Sequence, residues 1–213
     1  MNENLLRFNK KQKYLIFDYE TCNLNLNSKD NKPWQLSYIV ADFNKILEEQ
    51  DFYLKWEDLK ISDEAKKITG FNQSKYKKLA KDPAECLKSF EGWLYNKDII
   101  PVGHNILGFD LYIHNIHRNL CGLKPDFSYI DRCIDTNCIA KAVAENIKNK
   151  NQTSRISWQY SLNNFRKRRL KTSLKACANK YKIEFDEKKL HNALYDINLN
   201  YQVLKKQLWD IEI

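Results

Sequence analysis

Hydrophobic residues near the start of the chain fall on the two-residue period of strands. Residues 13–17 (Lys-Tyr-Leu-Ile-Phe) form a short apolar run suited to a buried strand. Residues 35–42 gather the β-formers Leu36, Tyr38, Ile39 and Val40, and residues 51–56 set Phe52, Leu54 and Trp56 against Asp51, Tyr53 and Lys55. Polar and turn residues separate the three, which predicts an antiparallel meander. The period then lengthens. Ser62-Asp63-Glu64 is a capped, acidic helix start with Gly70 as its stop. Asp82-Pro83-Ala84-Glu85 has capping-box spacing with proline at the first helical position, ahead of Leu87, Phe90 and Leu94 on one face. Ile99 to Val102 predicts a strand leading to Gly103. Phe109, Ile113, Ile116 and Leu120 then recur at helical spacing, closed by Gly122. Tyr129 to Ile134 reads as a further strand, and Asp135-Thr136 caps a helix to about Ala144. Ser173 to Lys182 is helical, and Leu194, Ile197, Tyr201, Leu204 and Leu208 define a last amphipathic helix. Residues 146–160 show weak periodicity. This order predicts an α/β fold whose sheet is part antiparallel and part parallel, flanked by helices. The 213 residues are expected to form a single domain, with a flexible basic insertion at 146–171.

Composition narrows the class. At 43% hydrophobic the chain is too apolar for disorder, and five glycines with four prolines exclude collagen-like or low-complexity sequence. The apolar run Tyr14-Leu15-Ile16-Phe17 is far short of a membrane span, and the polar start lacks a signal-peptide core. A soluble, cytoplasmic protein without membrane contact is expected. Cys22, Cys86, Cys121, Cys133, Cys138 and Cys177 include no C-x-x-C pair and read as reduced, mostly core thiols. Charge adds a direction. The formal net charge is +9, and residues 148–189 hold 13 basic residues against three acids, so the excess lies in one segment. Such a field attracts a polyanion, most simply nucleic acid, through phosphate contacts. The block Arg166-Lys167-Arg168-Arg169 is its densest part.

Three short stretches carry the candidate chemistry. In Phe17-Asp18-Tyr19-Glu20-Thr21, at the end of the first strand, Asp18 and Glu20 share a face and Tyr19 takes the other. Two adjacent carboxylates repel unless a cation or proton lies between them, and hard oxygen ligands suit Mg²⁺ or Mn²⁺. Alone, D-x-E is unspecific. In Val102-Gly103-His104-Asn105-Ile106-Leu107-Gly108-Phe109-Asp110, a strand ends in a turn and Asp110 opens the next helix. In His191-Asn192-Ala193-Leu194-Tyr195-Asp196, Asp196 lies in the last helix with His191 five residues upstream.

Together, in this order and at these positions, the three stretches resemble the DEDD-type 3′–5′ exonucleases of the histidine subgroup, over roughly residues 12–209. That subgroup spans proofreading subunits, exonuclease I and ribonuclease T-like enzymes. Ile68-Thr69-Gly70-Phe71 resembles the family's helix-stop signature, and Asp18-Tyr19-Glu20-Thr21 resembles the exonuclease I branch. The tyrosine subgroup has an aromatic where Asn192 stands, so the histidine subgroup fits better. A departure is Thr21-Cys22-Asn23, where the family often has a Thr-Gly pair. The resemblance implies a ribonuclease H-like fold in which Asp18, Glu20, Asp110 and Asp196 hold two Mg²⁺ or Mn²⁺ ions and His191 accepts a proton from water. It also implies substrate contacts near Tyr19, Thr21, His104, Asn105 and Phe109, and the basic field read from the charge pattern adds Arg166, Arg168 and Arg169 as substrate contacts. The implied substrate is nucleic acid with a free 3′ end, read first as single-stranded DNA. An exoribonuclease, or a non-catalytic binding subunit, is the alternative. A homodimer, or docking to a replication or repair partner, stays open.

Overall fold

Strand β1 (Lys13–Thr21) owes its central place to Tyr14-Leu15-Ile16-Phe17, all four of which are buried. The computed structural model describes residues 5–23, 25–26, 31–149 and 153–213. β1 pairs antiparallel with β2 (Pro33–Ala41), which pairs antiparallel with β3 (Ile46–Leu54), completing the expected meander. Two short helices follow, α1 (Asp63–Thr69) and α2 (Gln73–Leu79), then the two-residue strand β4 (Ala80–Lys81) beside β3. After helix α3 (Pro83–Leu94), strand β5 (Ile99–Gly103) runs parallel to β1. Helix α4 (Asp110–Leu120) leads to β6 (Ile134–Asp135), parallel to β5. The chain finishes with α5 (Thr136–Glu145), α6 (Arg155–Asn164), α7 (Leu174–Lys180) and α8 (Ala193–Asp210). The sheet order is β4-β3-β2-β1-β5-β6. The fold is therefore α/β with a mixed sheet flanked by helices, as the residue pattern indicates.

Local signals explain most boundaries. Ser62 accepts a hydrogen bond from the Ala65 N–H to start α1, and Gly70 ends it at φ 63°, where a Cβ is disfavoured. Asp82 accepts from the N–H groups of Ala84 and Glu85 at the start of α3. The pleat of β1 divides its surroundings. Phe17 and Tyr19 pack on Phe90 of α3 with ring centroids 4.9 and 6.2 Å apart, while α8 packs along β1 and β2.

Three expectations need correction, and one helix was not foreseen. β3 begins at Ile46 and ends at Leu54, so Trp56 lies beyond it, where its indole N–H donates to the Pro33 carbonyl. The stretch Tyr129 to Ile134 is no strand: residues 130–132 form a 3₁₀ turn, and only Ile134–Asp135 pair with the sheet. Helix α2 was not indicated by periodicity because Tyr76 is its one buried residue. Helix α6 occupies residues 155–164, inside the insertion expected to be mobile, and buries Ile156, Trp158, Gln159 and Leu162 against the body of the protein. Residues 150–152 of that stretch lie outside the described residues. Among the described residues no helix is long and apolar enough to cross a membrane.

Candidate active site

Three elements deliver the acidic residues to one end of the sheet. Asp18 and Glu20 project from the end of β1, on the face opposite the buried Tyr19. Asp110 sits in the first turn of α4, nearly fully buried, and its Oδ1 accepts the Tyr19 backbone N–H at 3.0 Å. That bond ties the second motif to the first. Asp196 lies in the first turn of α8, whose start is capped by Asn192 accepting from the Tyr195 N–H at 3.1 Å. His191 precedes that cap at φ 66°, and its backbone N–H donates to Asp196 Oδ2 at 3.0 Å. His191 is exposed. A cleft of about 400 Å³ brings Asp18, Asp196 and His191 together with His104 and Asn105.

The electrostatics is that of acids confined together. Burial first, then the charges of Asp110, Glu20 and Asp196, push Asp18 well above the usual carboxylate range. Burial, then Asp196 and Asp110, do the same to Glu20. Burial raises Asp110 to about 8, against the pull of the Tyr19 N–H, and raises Asp196 to about 7, against that of the His191 N–H. Asp196 Oδ1 is buried with no hydrogen-bond partner. Among the described residues, no three Asp, Glu, His or Cys side chains are drawn tightly enough to enclose an ion. The four acids therefore feel one another's charge without forming a closed cage. Their chemistry still fits divalent cations: hard oxygen donors, an orphaned carboxylate oxygen, and repulsion that only protons or cations relieve.

The turn between β5 and α4 is held by a residue whose full part the sequence hid. Asp135, fully buried, caps α5 through the N–H groups of Asn137 and Cys138. It also accepts from Asn105 N–H at 3.0 Å and Leu107 N–H at 3.1 Å. One carboxylate thus clamps two segments and steadies Asn105 at φ 70°, a left-handed conformation asparagine tolerates. Gly103 is required just before this turn, since a Cβ there would meet Ile106 Cβ at 2.9 Å. His104 Nδ1 lies 2.9 Å from Thr136 Oγ1, which bonds Asn200 Oδ1 of α8 at 2.7 Å. Burial pushes His104 down to about 4. The capping role of Asp135-Thr136 was visible from the sequence; the clamp and the Asn200 link were not.

Other expected contacts are placed differently. The Tyr19 ring points away from the cleft into the core, its hydroxyl 3.2 Å from His117 Nδ1, so only its backbone serves the site. Thr21 turns its hydroxyl onto the Asn23 carbonyl at 2.6 Å. Phe109 packs, half-buried, against the main core. Arg166, Arg168 and Arg169 are exposed and do not line the cleft; Arg166 donates to the carbonyls of Asn163 and Phe165.

Comparison with known proteins fits this arrangement. The chain resembles the exonuclease I of E. coli solved with a dT13 oligonucleotide, with a TM-score of 0.70 and 16% identity over 92% of this chain and 40% of that one. It is similar to the zinc-bound E. coli exonuclease I–single-stranded DNA complex at a TM-score of 0.69 and 20% identity, over 91% and 40%. At these identities the likeness concerns the fold, and the chain spans about two-fifths of the length of those enzymes. No curated protein sequence matches the chain. The RNase_T exonuclease family model matches residues 15–204, a span that takes in Asp18, Glu20, Asp110, His191 and Asp196. The chain belongs to the RNase_T family of exonucleases.

Proposed function

We propose that this exonuclease removes nucleotides from the 3′ end of nucleic acid, single-stranded DNA first, with two divalent cations, Mg²⁺ or Mn²⁺, at the acidic cleft. The observation that carries the reading is one cleft lined by Asp18 of β1, Asp196 of α8 and His191, with Glu20 and Asp110 near enough for their charges to raise Asp18. Asp18, Glu20, Asp110 and Asp196 would hold the cations. Divalent cations there would neutralise charge on the phosphodiester and make a water acidic enough to lose its proton. His191 accepts that proton at a ring nitrogen, a role suited to imidazole. The water oxygen bonds to phosphorus as the bond to the 3′ oxygen of the preceding nucleotide breaks, which releases a nucleoside 5′-monophosphate. His104 and Asn105, on the cleft wall, would position the terminal nucleotide, and the apolar Leu174 and Ile197 limit water around it.

Exonuclease I structures described with dT13 and with single-stranded DNA support the strand preference. Incubating the protein with matched DNA and RNA oligonucleotides tests it. Mg²⁺-dependent release of mononucleotides, faster from DNA and stopped by EDTA, is expected. Faster release from RNA would move the assignment to an exoribonuclease, and no release from either would refute it.

A further inference from the structure

Two clefts meet at His191. One is the acidic cleft; the other is an open groove of about 640 Å³ between the end of α1 and the start of α8. His191 is the residue that lines both. The groove carries Lys67, Lys188 and Lys189, none of which is in an ion pair among the described residues. Its acid, Glu49, already accepts a hydrogen bond from Asn198 at 2.9 Å. The neighbouring Glu187 is neutralised by Lys175 at 2.7 Å, and Asp186 spends Oδ1 on the Lys188 backbone N–H at 3.0 Å. The turn bearing Lys188 and Lys189 is fixed to α8, because the Asp186 N–H donates to the Tyr195 hydroxyl at 2.6 Å.

We infer that this groove carries the sugar–phosphate chain upstream of the scissile bond, with Lys67, Lys188 and Lys189 as its phosphate contacts. The inference rests on the exonuclease reading and adds the path of the uncleaved strand. An enzyme that removes one terminal nucleotide needs a small site for that nucleotide and a longer cationic one for the polymer. The smaller cleft is acidic, the larger groove basic, and both are lined by His191. The Arg166–Arg169 block, the densest charge in the sequence, is less suited: Lys167 is paired with Glu145, and Arg166 is spent on backbone carbonyls. Basic charge in 148–189 is thus useful at its far end, where two lysines stand next to the site.

The test is binding of a fluorescent oligothymidylate by anisotropy in EDTA across a range of KCl, for the full chain and two triple variants. Each contact on a single strand adds roughly 0.7 to the slope of log affinity against log salt. Lys67→Ala/Lys188→Ala/Lys189→Ala should lower the slope by about 2. Arg166→Ala/Arg168→Ala/Arg169→Ala should lower it much less. In Mg²⁺ the lysine variant should lose about ten-fold more kcat/KM on an oligonucleotide than on the p-nitrophenyl ester of thymidine 5′-monophosphate, which has no upstream strand. An unchanged slope in the lysine variant, or a loss confined to the arginine variant, would overturn the inference. Failure of the exonuclease reading is recognised separately, by a wild-type protein that hydrolyses neither substrate.

Discussion

At the scale of the residue, the acids of the cleft are poor partners for one another. Burial disfavours each of them as an anion, and neighbouring carboxylates add to this at Asp18, Glu20 and Asp110, so the site is destabilised whenever it is both metal-free and ionised. Replacing Asp18 or Asp196 by asparagine removes a cation ligand and one source of repulsion while keeping shape. Asp18→Asn and Asp196→Asn should each reduce exonuclease activity to below about a thousandth of wild type, roughly 4 kcal/mol of barrier. Their melting temperatures in EDTA should equal or exceed the wild-type value. Digestion assays beside thermal melts check both. His191→Ala should slow turnover by about 10²–10⁴-fold and flatten the acid limb of the pH–rate profile, while calorimetry still detects Mn²⁺ binding. An acid limb unchanged in that variant would leave His191 only its backbone bond to Asp196. These residues were legible because residue type, order and element position agree: Asp18 and Glu20 on one strand face, Asp110 and Asp196 each in a helix's first turn. The side chain of Tyr19 was not, since alternation says which face it takes but not what awaits it there.

At the scale of the element, β1 and the β5–α4 turn depend on each other. The Tyr19 N–H holds Asp110 from one side, and Asp135 holds the turn from the other. Asp135→Ala would leave four backbone N–H groups of Asn105, Leu107, Asn137 and Cys138 without their acceptor. A loss of at least about 3 kcal/mol is expected in urea unfolding, with activity falling further than stability because His104 and Asn105 move. Asp135→Asn, which keeps an acceptor, should restore part of both. Caps and stops made α1, α3 and α5 readable, and apolar periodicity did so for α4 and α8. Helix α6 was hidden because Ile156, Trp158, Tyr160 and Leu162 alternate like a strand, while its buried face includes the polar Gln159. That glutamine accepts from the Asp135 N–H at 2.7 Å and donates to the Cys133 carbonyl at 3.0 Å. Buried Lys141 donates to the carbonyls of Leu162 and Asn163 at the other end of α6. Such polar anchors depend on tertiary partners that periodicity cannot show.

At the scale of the whole molecule, three of the four histidines are held neutral inside the protein. Burial lowers His114, and pushes His104 and His117 down to about 4. His117 joins the Tyr19 hydroxyl to the Pro83 carbonyl, and His114 lies between Glu91 and Tyr129. A base whose folded pKa is depressed binds fewer protons folded than unfolded below its ordinary pKa near 6.5. The histidines' contribution to stability should therefore be intact above about pH 6.5 and decline as pH falls toward 4, by roughly 3 kcal/mol for His117 alone, while the raised acids of the active site work in the opposite direction until cations or protons neutralise them. Chemical unfolding at stepped pH checks this, and His117→Gln should make the decline shallower. The mixed sheet and its order of elements were legible from the succession of periods, whereas the pairing of β5 with β1, which brings the second motif beside the first, rests on contacts far apart in the chain.

Cleavage from the 3′ end at the acidic cleft is tested by digestion of a 5′-labelled single-stranded oligonucleotide with Mg²⁺, followed on a sequencing gel. A ladder of labelled strands shortening from the 3′ end is expected, abolished by EDTA and by Asp18→Asn. Immediate release of the label as a mononucleotide, or a ladder that survives either treatment, would contradict it.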